Sequence, residues 1–182
     1  MNKKIKIAFH ETGHAVMALI CQQKIQKISL REMDSPLGGD KYLAFMKLEP
    51  ADTNVKFTGE KAIKKIMISL GGYASEILFF DGVANIGGDD LTIAARTTEN
   101  MFQIPEFKNW IAELPIPSPS ALDMIENPSI RAYIDYKMGD CIKMLAPHKA
   151  LIQSIVDELL LKEELTGEEV NAIFEKYMTL RL

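Results

Sequence analysis

The stretch from residue 5 to residue 22 reads IKIAFHETGHAVMALICQ, and the rest of the chain is interpreted around it. Its apolar positions recur every three or four residues, which is the spacing of one face of an α-helix. The same stretch carries His10, Glu11 and His14 in a His-Glu-x-x-His pattern. Residues four apart lie one turn from each other on a helix, so both imidazoles can reach a single metal ion. The sequence therefore predicts a helix over 5–22 with His10 and His14 as metal ligands.

Glu11 lies beside this histidine pair and indicates hydrolytic chemistry. Zn²⁺ with three protein ligands keeps an open position, lowers the pKa of its water toward about 7 and polarises a carbonyl oxygen. A neighbouring carboxylate can take the proton of that water. Two of the three histidines in the chain fall within this one pattern. We therefore interpret it as a zinc site with Glu11 as the general base, rather than as two unrelated core or surface histidines.

Gly13 lies in the interior of the predicted helix. Glycine at such a position costs about 1 kcal/mol relative to alanine. It is usually tolerated because another backbone packs closely there. We therefore expect a second element to contact the first helix at Gly13.

A catalytic zinc needs a third protein ligand, and the residues alone leave four candidates. Asp89 and Asp90 follow two glycines at the start of a predicted helix, where an aspartate can also cap free backbone amides. Glu76 lies inside an apolar helix, where a charge is uncommon unless it is paired or coordinating. His148 lies at the start of a C-terminal helix and is expected to face solvent.

The remaining pattern predicts a mainly α domain with one small β element. Alternating residues around 27–31 and over 41–49, separated by turn formers at 34–40, predict a β-hairpin. Five of the eight prolines lie between 103 and 128, which predicts a loop there. Helices are predicted over 58–80, 90–102, 129–145, 147–164 and 166–178, the last beginning at a capping box. We expect a single domain over 1–182, with a metal-site half at 1–103, a Pro-rich loop at 104–128 and C-terminal helices at 129–182.

Composition narrows the class of protein. The 182 residues are 47% hydrophobic and carry a net charge of -4, which excludes disordered and collagen-like classes. No long basic run is present, so nucleic acid is not an expected partner. Cys21 and Cys141 do not form a disulfide framework or a thiolate metal site. The longest apolar run, over 15–21, is far below the roughly 20 residues of a membrane span. We expect a cytoplasmic protein without a membrane span of its own.

Four segments taken in order resemble one protein family. The segment 9–16, FHETGHAV, is similar to the family's His-Glu-Ala-Gly-His-Ala motif. The segment 70–79, LGGYASEILF, is similar to its Gly-Gly-Arg-x-Ala-Glu-Glu-Leu-Ile-Phe helix, and Gly-Asp-Asp-Leu at 88–91 lies where the family has Ser-Asn-Asp-Leu. The segment 159–170 looks like its C-terminal Leu-Leu-Glu-Lys-Glu-Thr-Leu-x-Gly-Glu-Glu-Ile. Over nearly its whole length the chain therefore resembles the peptidase domain of the FtsH family of ATP-dependent zinc metalloproteases.

The resemblance implies a zincin-like fold and a set of site residues. It assigns zinc binding to His10, His14 and Asp90, and the general base to Glu11. Glu76 becomes a supporting carboxylate near the site. It also implies a small sheet whose edge strand, expected over 41–49, pairs with an extended substrate through main-chain hydrogen bonds.

The chain also differs from the family pattern. Tyr73 replaces the family's arginine, Asp89 replaces its asparagine, and the Pro-rich segment is shorter. Because the sequence begins at the first motif, we expect a stand-alone domain without the family's membrane anchor and ATPase module. A homo-oligomer and a separate ATPase partner stay open.

These observations predict a zinc-dependent endopeptidase that hydrolyses peptides or unfolded protein segments through a metal-activated water. The alternative is a metal-binding but catalytically idle domain with a regulatory or adaptor role. Glu11 favours the enzyme, since an idle domain has no need of the base.

Overall fold

Helices make up most of the chain, and three short strands form one sheet. The computed structural model describes residues 2–31, 44–50, 57–80, 89–107 and 125–180. Its α-helices are α1 (Lys3–Ile20), α2 (Gly59–Phe79), α3 (Asp90–Phe102), α4 (Pro128–Leu145), α5 (Lys149–Lys162) and α6 (Gly167–Thr179). Its strands are β1 (Ile25–Ser29), β2 (Phe45–Leu48) and β3 (Glu164–Thr166). The expected mainly helical fold with a small β element is confirmed.

Polar caps fix where the helices begin. The side chains of Asn2, Thr58 and Asn127 each accept a hydrogen bond from a backbone N–H in the first turn of α1, α2 and α4. Thr166 and Glu169 form the reciprocal capping box that the sequence predicts for the last helix. These four caps satisfy donors that a helix end otherwise leaves without partners.

The predicted helix over 147–164 is wrong at both ends. Pro147 lies in a short 3-10 turn, Ala146–His148, and α5 begins only at Lys149. At the other end, Glu163 adopts a left-handed conformation with φ 63°, which ends the helix. The chain then continues as β3, where Leu165 is fully buried. The apolar Leu165, one residue beyond the predicted helix, therefore belongs to a strand.

The sheet contains one strand more than the predicted hairpin. Its order is β2-β1-β3 and both pairings are antiparallel. The pairing of β1 with β2 confirms the hairpin strands, while the predicted turn at 34–40 and positions 41–43 lie outside the described residues. Within the part of the chain that the structure describes, β2 lies at an edge of the sheet.

Helix α1 packs on α2 with backbone against backbone. A Cβ atom placed on Gly13 would lie 2.3 Å from the carbonyl oxygen of Gly71, and one placed on Gly71 would lie 2.7 Å from that of Gly13. The expected close approach at Gly13 is therefore confirmed. Beyond this crossing, α1 also contacts α5 and β1, and residues 15–18 of α1 are fully buried. The helix that carries the histidines is thus the central element of the core.

The Pro-rich region is described only at its ends. Pro105–Phe107 forms a 3-10 turn that follows α3, and residues 108–124 of the predicted loop lie outside the described residues. The division of the chain at 103 and 129 stays a prediction. None of the described helices is long and apolar enough to span a membrane.

The glycine contact predicts opposite effects for two glycine-to-alanine substitutions. Gly13→Ala should lower the free energy of unfolding by roughly 1–3 kcal/mol, the usual cost of overpacking, because its Cβ has no room beside Gly71. Gly139→Ala in α4 is the matched control, since a Cβ there meets nothing within 4 Å. It should raise the free energy of unfolding by up to about 1 kcal/mol through helix propensity. Urea unfolding of both variants measures the difference, and a Gly13→Ala variant as stable as the unmodified chain would contradict the packing argument.

Candidate metal centre

Two side chains of α1 and one of α3 meet beside the crossing of α1 and α2. His10 and His14 extend from α1, and Asp90 is the first residue of α3. His10 Nε2 lies 3.0 Å from His14 Nε2 and 3.1 Å from Asp90 Oδ2, and His14 Nε2 lies 3.4 Å from the same oxygen. Both histidines are buried, and Asp90 is half-buried. Among the described residues, this is the one group of three or more potential ligands close enough to hold a metal ion.

The spacing of these atoms suits a tetrahedral ion. Zinc binds histidine nitrogen and carboxylate oxygen at about 2.0–2.2 Å, so two ligand atoms of a tetrahedral site lie about 3.3 Å apart. The three separations of 3.0, 3.1 and 3.4 Å bracket that value. Two imidazole nitrogens and one carboxylate oxygen are also a donor set found at catalytic zinc sites. These residues therefore fit the group that the sequence predicts.

The other ring nitrogen of each histidine is held by α2. His10 Nδ1 donates to Glu76 Oε1 at 2.6 Å, and His14 Nδ1 donates to the carbonyl oxygen of Ile68 at 2.6 Å. With the proton on Nδ1, the lone pair of each imidazole is on Nε2, facing Asp90. Glu76 is fully buried. Its carboxylate contacts His10 at Nδ1, near the site as the resemblance implies, and it is not one of the three clustered residues.

Gly72 leaves room for the two imidazoles against α2. A Cβ atom at this position would lie 2.6 Å from His10 Cε1 and 2.6 Å from His14 Nε2. A larger residue would therefore occupy the place of the rings. A pair of glycines in the middle of a long apolar helix is the sequence signal for this contact.

The charged forms of His10 and Asp90 stabilise each other. Burial disfavours the imidazolium of His10, but its hydrogen bonds to Asp90 and Glu76 outweigh that cost and raise its pKa to about 10. Burial likewise opposes ionisation of Asp90, yet hydrogen bonds from the two histidines hold the pKa of this carboxyl well below its usual range. The cluster thus attracts positive charge, as protons or as a cation.

Glu11 lies next to the cluster without belonging to it. Burial raises the pKa of its carboxyl, and the neighbouring histidines offset part of that effect. The backbone of Met46 in β2 also lowers the pKa of this carboxyl, against the larger effect of burial. A carboxylate with a raised pKa beside a metal site is suited to accept a proton near neutral pH.

Two of the third-ligand candidates lie elsewhere. Asp89 occupies the N-cap position of α3, is exposed and makes no side-chain capping hydrogen bond, so the capping alternative does not hold for it. Gly87 and Gly88 lie outside the described residues. His148 is half-buried rather than solvent-facing, because its ring packs 6.0 Å from that of Tyr177.

Tyr73 occupies the position at which the resemblance expects an arginine. Its side chain is buried, and its ring meets that of His10 at a centroid distance of 5.4 Å and an interplanar angle of 76°. The edge-to-face contact restricts how the His10 ring can turn. Composition and spacing gave no signal for this contact.

Comparisons with known proteins match one family of peptidases. The family model described as Peptidase family M41 matches residues 1–107 of the chain. The ATP-dependent zinc metalloprotease FTSH 6, chloroplastic, of Arabidopsis thaliana is 26% identical over 96% of the chain and 28% of the relative. The ATP-dependent zinc metalloprotease FtsH 2 of Thermoanaerobacter sp. (strain X514) is 26% identical over 95% of the chain and 33% of the relative. The chain thus spans about a third or less of the length of these relatives.

The geometry predicts different zinc contents for variants at two adjacent aspartates. Asp90→Ala should lose most of its zinc, since it removes one of three clustered donors. Asp89→Ala is the matched control and should keep its zinc, because Asp89 is exposed and is not one of the three clustered donors. Glu76→Ala should weaken zinc affinity by roughly 10- to 100-fold through loss of the hydrogen bond to His10. Metal analysis and competition with a chelator measure all three, and full zinc content in Asp90→Ala would contradict the ligand assignment.

Proposed function

Because this chain belongs to peptidase family M41, we propose that it is a zinc-dependent endopeptidase that hydrolyses peptides or unstructured protein segments. The observation that carries the proposal is the spacing of three donor atoms, from His10, His14 and Asp90, at the separations of tetrahedral ligands, with the Glu11 carboxyl beside them. The family supports a peptidase, and its relatives, which are zinc metalloproteases, support zinc as the metal. Activity in this chain and the individual ligand roles are part of the proposal.

Each residue of the cluster has a distinct task in this proposal. His10 and His14 direct Nε2 toward the metal because their Nδ1 atoms are engaged by Glu76 and Ile68. Asp90 adds an anionic donor whose pKa is low enough to keep it ionised. When bound, zinc supplies a Lewis acid that polarises the scissile carbonyl and acidifies a water. With two histidines and one carboxylate, one coordination position stays available for that chemistry.

Glu11 is the proton acceptor in this proposal. It follows His10 directly in α1, so the same helix that carries the ligands fixes its position. Burial raises the pKa of its carboxyl. That pKa therefore lies closer to neutral pH than the pKa of an exposed glutamate does. The carboxyl can therefore take a proton from the attacking water and return one to the leaving amine.

In this proposal, an extended substrate binds along the edge strand β2. It lies beside α1, and its outer side pairs with no other described strand. A peptide added there would be held by backbone hydrogen bonds, which tolerate many side chains. Such docking needs an unfolded segment, so we expect unstructured substrates to be cleaved without an added ATPase.

Casein cleavage separates the enzyme from a catalytically idle adaptor. The zinc-loaded chain should fragment casein, an unstructured protein, and a chelator should stop the reaction because it removes the metal. Readdition of zinc should restore it. An intact chain with bound zinc and no cleavage of casein would favour the adaptor.

Replacing the proposed base should separate metal binding from turnover. Glu11→Gln should keep its zinc and its fold while casein hydrolysis falls by roughly 10²- to 10⁴-fold, the usual contribution of a general base. Glu99→Gln, an exposed glutamate on α3, is the control and should retain full activity. His10→Ala should lose both zinc and activity. Near-normal turnover in Glu11→Gln would place the base elsewhere.

A further inference from the structure

The two proposed histidine ligands are anchored by different kinds of group. The χ2 torsion of a histidine has broad energy minima, so the direction of its ring depends on what surrounds it. His14 Nδ1 bonds to the carbonyl oxygen of Ile68, a backbone group that α2 itself holds in place. His10 Nδ1 bonds instead to the Glu76 carboxylate, at the end of a flexible side chain. The anchor of His10 is therefore the more adjustable of the two.

Tyr73 supplies a second contact to the His10 ring. Its side chain is buried, with 6% exposed, and its ring meets that of His10 at 5.4 Å between centroids and 76° between planes. Rings in this arrangement form an edge-to-face pair, and turning either ring loses part of their contact. Among the described residues, His14 has no aromatic neighbour other than His10. The extra restraint thus falls on the histidine with the adjustable anchor.

The place of Tyr73 on α2 explains how its ring reaches His10. The preceding residue, Gly72, lies against the imidazole, where a Cβ atom would be 2.6 Å from His10 Cε1. Glu76 follows Tyr73 by one helical turn, so the two side chains leave α2 from neighbouring positions on one face. One holds the imidazole through a hydrogen bond and the other through a ring contact. In this arrangement His10 Nε2 lies 3.1 Å from Asp90 Oδ2.

We propose that Tyr73 is a positioning residue, whose aromatic ring holds the His10 imidazole in the direction that presents Nε2 to the metal. The hydrogen bond to Glu76 fixes one atom of the imidazole, and the contact with Tyr73 fixes the plane in which it lies. The task belongs to the ring of Tyr73, because the ring is the part that packs against His10. The proposal rests on the proposed function and adds to it a residue that orients one metal ligand.

Cobalt and zinc binding test the proposal without measuring turnover. The visible absorption spectrum of bound Co²⁺ depends on the arrangement of its ligands, and competition with a chelator measures zinc affinity. Tyr73→Phe keeps the ring and should leave both unchanged. Tyr73→Leu removes the ring, so it should alter the cobalt spectrum and weaken zinc binding by roughly 2- to 10-fold, the value of an edge-to-face aromatic contact.

Tyr133 in α4 offers a matched control. Its side chain is fully buried, and its ring meets that of Phe102 at 5.5 Å and 76°. Its hydroxyl contacts Met101, near the opposite end of α3 from Asp90. Tyr133→Leu therefore loses the same kind of contact away from the clustered donors, and it should lower stability without changing the cobalt spectrum. Equal spectral changes in Tyr73→Leu and Tyr133→Leu would indicate a general loosening of the core and would overturn the proposal.

Two further results would contradict the positioning role. One is an unchanged cobalt spectrum and an unchanged zinc affinity in Tyr73→Leu. The other is an equal loss in Tyr73→Phe and Tyr73→Leu, which would assign the effect to the hydroxyl. If circular dichroism shows that Tyr73→Leu does not fold, Tyr73→Met, which fills more of the space without a ring, takes its place. An unmodified zinc-loaded chain that does not cleave casein would contradict the proposed function, while the binding comparison would still decide the role of Tyr73.

Discussion

The contact between the backbones of Gly13 and Gly71 is the constraint on which the site depends. A single Cβ atom at either position would separate α1 from α2, since it would lie within 3 Å of the other backbone. The same approach brings the Ile68 carbonyl to His14 and the Glu76 carboxylate to His10, both at 2.6 Å. Hydrogen bonds weaken steeply with longer distance. Two helices held even slightly farther apart would leave both imidazoles without the partners that orient them.

Charge in the cluster explains why a cation suits it. Three carboxyl groups, from Glu11, Glu76 and Asp90, converge on two imidazoles in a largely buried region. Burying uncompensated negative charge is costly. Protons can compensate it, which is why the pKa of His10 and the pKa of His14 both rise above their usual values despite burial. A divalent cation among the same atoms compensates the same charge and leaves the imidazoles neutral, as metal ligands must be.

Local sequence patterns predicted much of the fold and of the site. The His10 and His14 spacing, the glycine at 13 and the capping box at Thr166 each have a physical meaning that is independent of the rest of the chain. The strand β3 was missed because three residues are too few to show alternation. The choice of Asp90 over Asp89 needed a resemblance, since an aspartate at a helix start can cap or coordinate equally well. The role of the Ile68 carbonyl could not be predicted, because every residue has a backbone and only the tertiary structure selects which groups meet.

The central claim is that His10, His14 and Asp90 together hold a single zinc ion. X-ray absorption at the zinc edge of the loaded, unmodified chain tests it most directly, because the spectrum reports the number, type and distance of the ligand atoms. The account predicts about one zinc per chain with nitrogen and oxygen neighbours at about 2.0–2.2 Å and the multiple-scattering signature of two imidazoles. A spectrum with sulfur neighbours or with fewer than two imidazoles, or a chain that takes up no zinc when zinc is in excess, would contradict it.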